Sequence, residues 1–149
     1  MTFFQFEQDF VESLRCIPML VRYKLDSCGI KLKLHQWGAF SQADRQTLVS
    51  HPCDGHSIEV YRDLLIAMIY DRTGETASEL AIDPSPPWLD PTTIPTSVQT
   101  KAESVGVALR LQQWATLKPI QRFALIKLSR STHENNNFLP ALQEFGLVD

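Results

Sequence analysis

Ile17-Pro-Met-Leu-Val-Arg-Tyr-Lys-Leu-Asp-Ser-Cys-Gly-Ile-Lys-Leu-Lys-Leu-His-Gln-Trp37 and Ile94-Pro-Thr-Ser-Val-Gln-Thr-Lys-Ala-Glu-Ser-Val-Gly-Val-Ala-Leu-Arg-Leu-Gln-Gln-Trp114 align without a gap when the chain is shifted by 77 positions. Continued to Leu48 over Leu125, the match reaches 12 identities in 32 positions, where average amino-acid usage supplies roughly two by chance. The identities include Pro18 with Pro95, Lys24 with Lys101, Gly29 with Gly106, Trp37 with Trp114 and Arg45 with Arg122. Asp26 with Glu103, Ile30 with Val107 and Lys33 with Arg110 exchange like for like. An internal repeat of this kind has to be recognised before single elements are assigned.

Each copy reads as one supersecondary unit. Pro18 and Pro95 suit the first turn of a helix, where a missing N–H leaves no bond unmade. Gly29 and Gly106 suit the left-handed residue just past a helix end, with Ile30 folding back on Leu25 and Val107 on Ala102. The spacing therefore predicts helices over about 18–28 and 95–105. Next, Ile30, Leu32 and Leu34 alternate with polar residues, as Val107, Leu109 and Leu111 do, which predicts short extended segments. Leu34, Trp37 and Phe40, matched by Leu111, Trp114 and Leu117, then form one apolar stripe on a short helix. Ser41 caps a further helix over 42–50, and Pro119 opens its counterpart over 119–130.

Outside the repeats, Phe6, Phe10, Leu14 and Ile17 at helical spacing predict a helix over about 7–16. Ile58, Tyr61, Leu65, Met68 and Ile69 predict one over about 57–72, ending near Gly74. A last helix is expected over Asn137 to Phe145, closed by Gly146. Ile82-Asp-Pro-Ser-Pro-Pro-Trp-Leu-Asp-Pro91 holds four prolines, which favour a stiff extended connector. The fold class is thus mostly α: a single helical domain over 1–149, made of two pseudo-repeated helix–extended–helix–helix halves (about 17–50 and 94–127) joined by a Pro-rich connector over 82–95. Halves of about 75 residues would have marginal cores alone, so they are expected to pack face to face, with Trp37 and Trp114 filling the interior between them.

With 149 residues, 44% of them hydrophobic and 21% charged, the composition is that of an ordinary globular domain, not of a disordered tail. No run approaches the roughly 20 apolar residues of a membrane span. The start of the chain lacks a basic region ahead of an apolar run, so a cytoplasmic location is expected. Cys16, Cys28 and Cys53 form no pairing pattern and fit free thiols. A net charge of −3 argues against a protein built to bind nucleic acid. Charge is nonetheless uneven: Asp54 to Asp90 holds eight acids and two arginines, whereas Ser104 to His133 holds five bases and no acid.

Several residues are candidates for function. His51-Pro-Cys53-Asp-Gly-His56 places two imidazoles and a thiol within six residues, as zinc or another borderline metal prefers; the bland alternative is a surface loop. Trp88, among prolines, either clamps the two halves or presents an aromatic anchor to a partner. Lys118, Arg122, Lys127 and Arg130 offer charge to a phosphate or an acidic partner surface, or simply face the acidic middle of the chain. Arg45 and Arg122, as a matched pair, are expected to meet acids such as Asp26 and Glu103 or helix-end carbonyls. No glycine-rich phosphate loop, Gly-x-Ser-x-Gly elbow or His-Glu-x-x-His occurs, and the neighbours His133 and Glu134 do not by themselves define an acid–base geometry.

Glu12-Ser-Leu-Arg-Cys-Ile-Pro-Met-Leu-Val-Arg-Tyr-Lys-Leu-Asp-Ser-Cys-Gly29, Pro86-Pro-Trp-Leu-Asp90, Gln121-Arg-Phe-Ala-Leu-Ile-Lys-Leu-Ser-Arg130 and His133-Glu-Asn-Asn-Asn-Phe-Leu-Pro-Ala-Leu-Gln-Glu-Phe-Gly146 together resemble the nitrate-reductase-associated protein family of cyanobacteria. The resemblance implies a non-catalytic accessory or maturation protein, with no cofactor of its own, for assimilatory nitrate reductase, an enzyme carrying a molybdopterin and an iron–sulfur cluster. Partner contact is expected at Trp88 and the bases Lys118, Arg122, Lys127 and Arg130. The alternative expectation is a metal- or molybdopterin-handling protein using His51, Cys53 and His56.

Overall fold

The chain is described here by a computed structural model, which covers residues 4–7, 16–130 and 137–148. The helix expected over 7–16 and the pair His133 and Glu134 fall outside the described residues. The fold is mostly helical, with one two-stranded ladder among the described residues. The described residues form two compact units, 16–82 on the one hand and 4–7, 83–130 and 137–148 on the other.

In the first unit, α1 (Met19–Cys28) starts one residue later than expected, because Pro18 keeps an extended ψ of 155° and serves as N-cap. Gly29 takes φ 76° and returns its N–H to Leu25 O at 2.9 Å, a conformation that a Cβ would strain. The chain then runs through β1 (Ile30–Lys31), α2 (Leu34–Ala39), α3 (Gln42–Ser50) and α4 (Ser57–Thr73). Ser41 caps α3 as its sequence predicts: its hydroxyl accepts from Asp44 N and the Asp44 carboxylate accepts from Ser41 N, both at 3.0 Å. A partner strand that the sequence did not announce, β2 (Ser78–Glu79), lies antiparallel to β1; two residues are too few to show a period. Val21, Leu25, Ile30, Trp37, Leu48, Tyr61, Leu65 and Ile69 belong to one buried apolar cluster. Each such side chain stabilises the unit by about 1.5–3 kcal/mol, and α4 presents the stripe Tyr61, Leu65, Met68 and Ile69 expected of it.

The second unit begins with a correction to the stiff extended connector: Pro87–Leu89 is a turn of 3-10 helix. Pro87 occupies the first turn, where its absent N–H forfeits nothing. Then follow α5 (Thr96–Ser104), α6 (Leu111–Thr116), α7 (Pro119–Arg130) and α8 (Phe138–Glu144). After α5, Gly106 has φ 80°; its N–H reaches Glu103 O at 3.0 Å, and that of Val107 reaches Ala102 O at 2.9 Å, a six-to-one closure that satisfies orphan carbonyls. Val98, Ala102, Leu109, Trp114, Phe123, Leu125, Phe138 and Leu142 are buried. The segment Phe4–Glu7 belongs to this unit: Phe6 N donates to the Glu144 carboxylate at 3.1 Å, and the Phe4 ring meets Phe145 edge-on at 5.1 Å.

The tryptophan pair departs from expectation. Trp37 is part of the apolar cluster of the first unit, and Trp114 donates its indole N–H to Asp90 O at 3.0 Å inside the second. Each is fully buried inside its own unit, and the short helix that carries Trp37 packs against α4. No described helix is long and apolar enough to cross a membrane.

Candidate functional site

The loop His51–His56 links α3 to α4, and its backbone is fastened from below. Lys24 Nζ donates to Val49 O (2.6 Å) and His51 O (2.8 Å), supplying positive charge to the helix end whose carbonyls lack intrahelical donors. Tyr61 donates its hydroxyl to Leu48 O at 2.7 Å and lies under the ammonium, 5.7 Å from ring centre to Nζ. Burial lowers the Lys24 pKa and raises that of Tyr61, since each charged form is poorly solvated there.

That architecture separates the three side chains proposed as metal ligands. His51 turns its Nδ1–H onto Pro52 O at 2.9 Å. Cys53 points into the core, its Sγ 3.5 Å from Lys24 O, where a hydrogen bond with Cys28 and burial push its thiol pKa up. A thiol so held resists becoming the thiolate that a metal binds. His56 is exposed at the N-cap of α4. Among the described residues no group of three or more His, Cys, Asp or Glu is arranged to hold a metal ion.

Trp88 and Arg122 turn out to be partners of each other. Arg122 as a whole is only 5% exposed. It donates to Trp88 O (2.7 Å), Leu117 O (2.6 Å) and Trp114 O (3.3 Å), choosing helix-end carbonyls over acids. A planar fork with several donors suits three fixed carbonyls. The half-buried Trp88 ring stands edge-on to Phe123, with centroids 5.0 Å apart. Trp88 thus fastens the 3-10 turn to α7 of its own unit. Lys127 is half-buried with its ammonium 5.3 Å from the Phe123 ring centre. Lys118 and Arg130 are exposed, so the four bases do not form one surface stripe.

Three features escaped the sequence reading. Arg72 makes a two-bond fork on Asp44, at 2.8 and 3.0 Å, and with the Ser41 bonds it holds the Asp44 carboxyl far below the usual carboxylate range. Arg62 donates to Cys28 O (2.7 Å) and to the Glu79 carboxylate (2.8 Å), joining α1, α4 and β2. Gln36 and Gln113 back-bond to the residue three before each, Lys33 N and Arg110 N, both at 2.9 Å. Only the glutamines carried a sequence signal: they recur 77 positions apart beside the tryptophans.

These observations define a helical protein in which cations, amides and indoles fasten helix ends. The chain belongs to the family described as conserved nitrate reductase-associated protein, whose model matches residues 3–145. No curated protein and no solved structure matches it.

Proposed function

We propose that this protein is a non-catalytic accessory factor that supports nitrate reductase by direct protein–protein contact. Membership of a family named for its association with that enzyme, over nearly the whole chain, carries the reading. The use of the polar groups is consistent with it: Lys24, Arg122, Gln36 and Gln113 all bond backbone inside their own units. Such a factor acts by binding one state of the reductase more tightly than another, because a ligand shifts only an equilibrium whose states it binds differently. The matched stretches are, in this reading, one helix–extended–helix–helix unit used twice. Contact is assigned to the exposed Lys118 and Arg130 and to the rim of Trp88.

The test mixes the purified chain with apo and cofactor-loaded reductase and measures binding and activity together. Preferential binding to one state with a gain in activity is expected. Equal affinity for both states with unchanged activity, or no association with either, overturns the proposal.

A further inference from the structure

The two units treat equivalent backbone differently. In the first, β1 has an antiparallel neighbour with Ile30 opposite Glu79 and Lys31 opposite Ser78, and Leu80 N donates to Gly29 O at 2.8 Å. This neighbour covers the turn: a Cβ on Gly29 would lie 2.8 Å from Ile82 Cγ1 and 3.0 Å from Leu80 O. Ile30 is only 1% exposed.

Seventy-seven positions on, the same skeleton stands uncovered. Gly106 has φ 80° against 76° for Gly29. Burial alternates, with Ala108 and Arg110 outward and Leu109 inward, as Lys31 and Lys33 are outward and Leu32 inward. Arg110 at φ −96°, ψ 149° repeats the extended backbone of Lys33 at φ −83°, ψ 150°. Yet no strand pairs with this segment among the described residues. Gly106 is exposed, and a Cβ there would meet nothing within 4 Å. A groove alongside is lined by Thr96, Gln99, Thr100, Glu103, Leu109 and Leu111. The Gln99 amide donates to Leu109 O at 3.3 Å while its own Oε1 is buried without a donor.

We propose that Gly106–Arg110 is an open strand edge that receives an extended acidic–apolar segment of a partner protein as an antiparallel neighbour. The N–H groups of Gly106, Val107 and Arg110 and the carbonyls of Leu109 and Arg110 are already bonded, so the template for strand addition is Gly106 O with the N–H and C=O of Ala108, the counterparts of Gly29 O and Lys31 in the paired unit. Affinity then comes from the main chain and specificity from alternate side chains. The first unit shows which segment fits. Glu75-Thr-Ala-Ser-Glu-Leu-Ala-Ile82 begins with an acid whose charged form is favoured first by its hydrogen bonds with His35 (2.8 Å) and Gln36 (3.1 Å) and also by the charge of Lys33, and ends with a branched apolar residue over the glycine. Arg110 stands where Lys33 does, at the start of a stretch from 110 to 130 that holds five bases and no acid. The partner segment therefore carries an acid at its N-terminal end, facing Arg110, and a branched apolar residue at its C-terminal end, over Gly106. Assigning that segment to the reductase rests on the proposed function; the edge itself does not.

The test titrates the isotope-labelled full chain with a synthetic peptide of the sequence of residues 75–82, blocked at both ends, and follows backbone amides by NMR. Saturable shifts centred on Gly106–Arg110 are expected. Methylating the peptide nitrogen corresponding to Leu80 should weaken binding about tenfold, the loss of one well-placed hydrogen bond, and Lys in place of the leading Glu should weaken it further. Absence of shifts at Gly106–Arg110 at millimolar peptide, shifts only around Gly29–Lys31, or equal binding of the methylated peptide would each overturn the proposal. A free chain that dimerises through these amides would overturn the partner assignment in favour of a second copy. No reductase enters this experiment, so its failure and that of the accessory role are separately visible.

Discussion

Arg45 and Arg122 occupy matched positions, and both reach the carbonyl of the matched tryptophan, Trp37 O at 3.1 Å and Trp114 O at 3.3 Å. In the first unit the guanidinium remains half-exposed and lies over the Trp37 ring, 5.5 Å from its centre. In the second, the turn carrying Trp88 closes over it and adds a third carbonyl. The same local sequence thus places the same cation, and a remote segment decides how far it is withdrawn from water. The difference teaches that energetic weight follows the covering segment, since an unmade hydrogen bond costs little in solvent and several-fold more when buried.

Removing the cation tests this most strongly. Arg122→Ala should lower the unfolding free energy by about 3 kcal/mol by leaving buried carbonyls without donors, whereas Arg45→Ala should cost about 1 kcal/mol, both read from urea midpoints at unchanged slope. Equal losses would break the comparison. Arg122→Lys should recover little, because an ammonium cannot span three carbonyls in a plane.

Glycine substitutions sharpen the contrast from the opposite side. Gly106→Ala meets only the left-handed backbone penalty of about 1 kcal/mol, while Gly29→Ala also drives a Cβ into Ile82 and Leu80 and should cost about 2–3 kcal/mol in total. Thermal unfolding of the two variants measures the gap, and a larger loss at Gly106 would mean that its front is already covered.

The smallest effect separates the two capped helices in acid. Asp44 Oδ2 accepts from Ser41 N, and at the matched cap Gln121 Oε1 accepts from Lys118 N at 2.8 Å. Because the carboxyl of Asp44 is depressed in the folded chain, its stabilisation is complete above the unfolded carboxylate value near 4 and drains away as pH falls below it toward the folded value. The amide of an uncharged glutamine does not titrate. Hydrogen exchange at the start of α3 should therefore accelerate below about pH 4 while the start of α7 stays unchanged, and Arg72→Ala should bring the acceleration to higher pH. Parallel acceleration at both caps would remove Asp44 as its source.

Much of the local structure was legible because it depends on a few neighbouring residues. Ser41-x-x-Asp44 specified the start of α3, Pro119 that of α7, and Gly74 and Gly146 the ends of α4 and α8. The connector was misjudged because its prolines exclude an α-helix yet permit a 3-10 turn when one of them leads it. The candidate site was less legible. His51, Cys53 and His56 are close in sequence, but Cys53 follows the core and His56 the solvent, and spacing contains no term for direction. For Arg122 the helix-end carbonyls were legible from its match with Arg45, but not the covering turn of Trp88, 34 residues earlier.

The sequence by itself determined a helical chain, the positions at which its helices start and stop, and its family, since capping, left-handed glycines and apolar period all act within one or two turns. Only the tertiary structure decided which residues share a unit, which cation is buried, which thiol is turned inward and which extended segment gains a paired neighbour. Those outcomes depend on contacts between segments dozens of residues apart, where burial changes the strength of every charge and hydrogen bond it encloses.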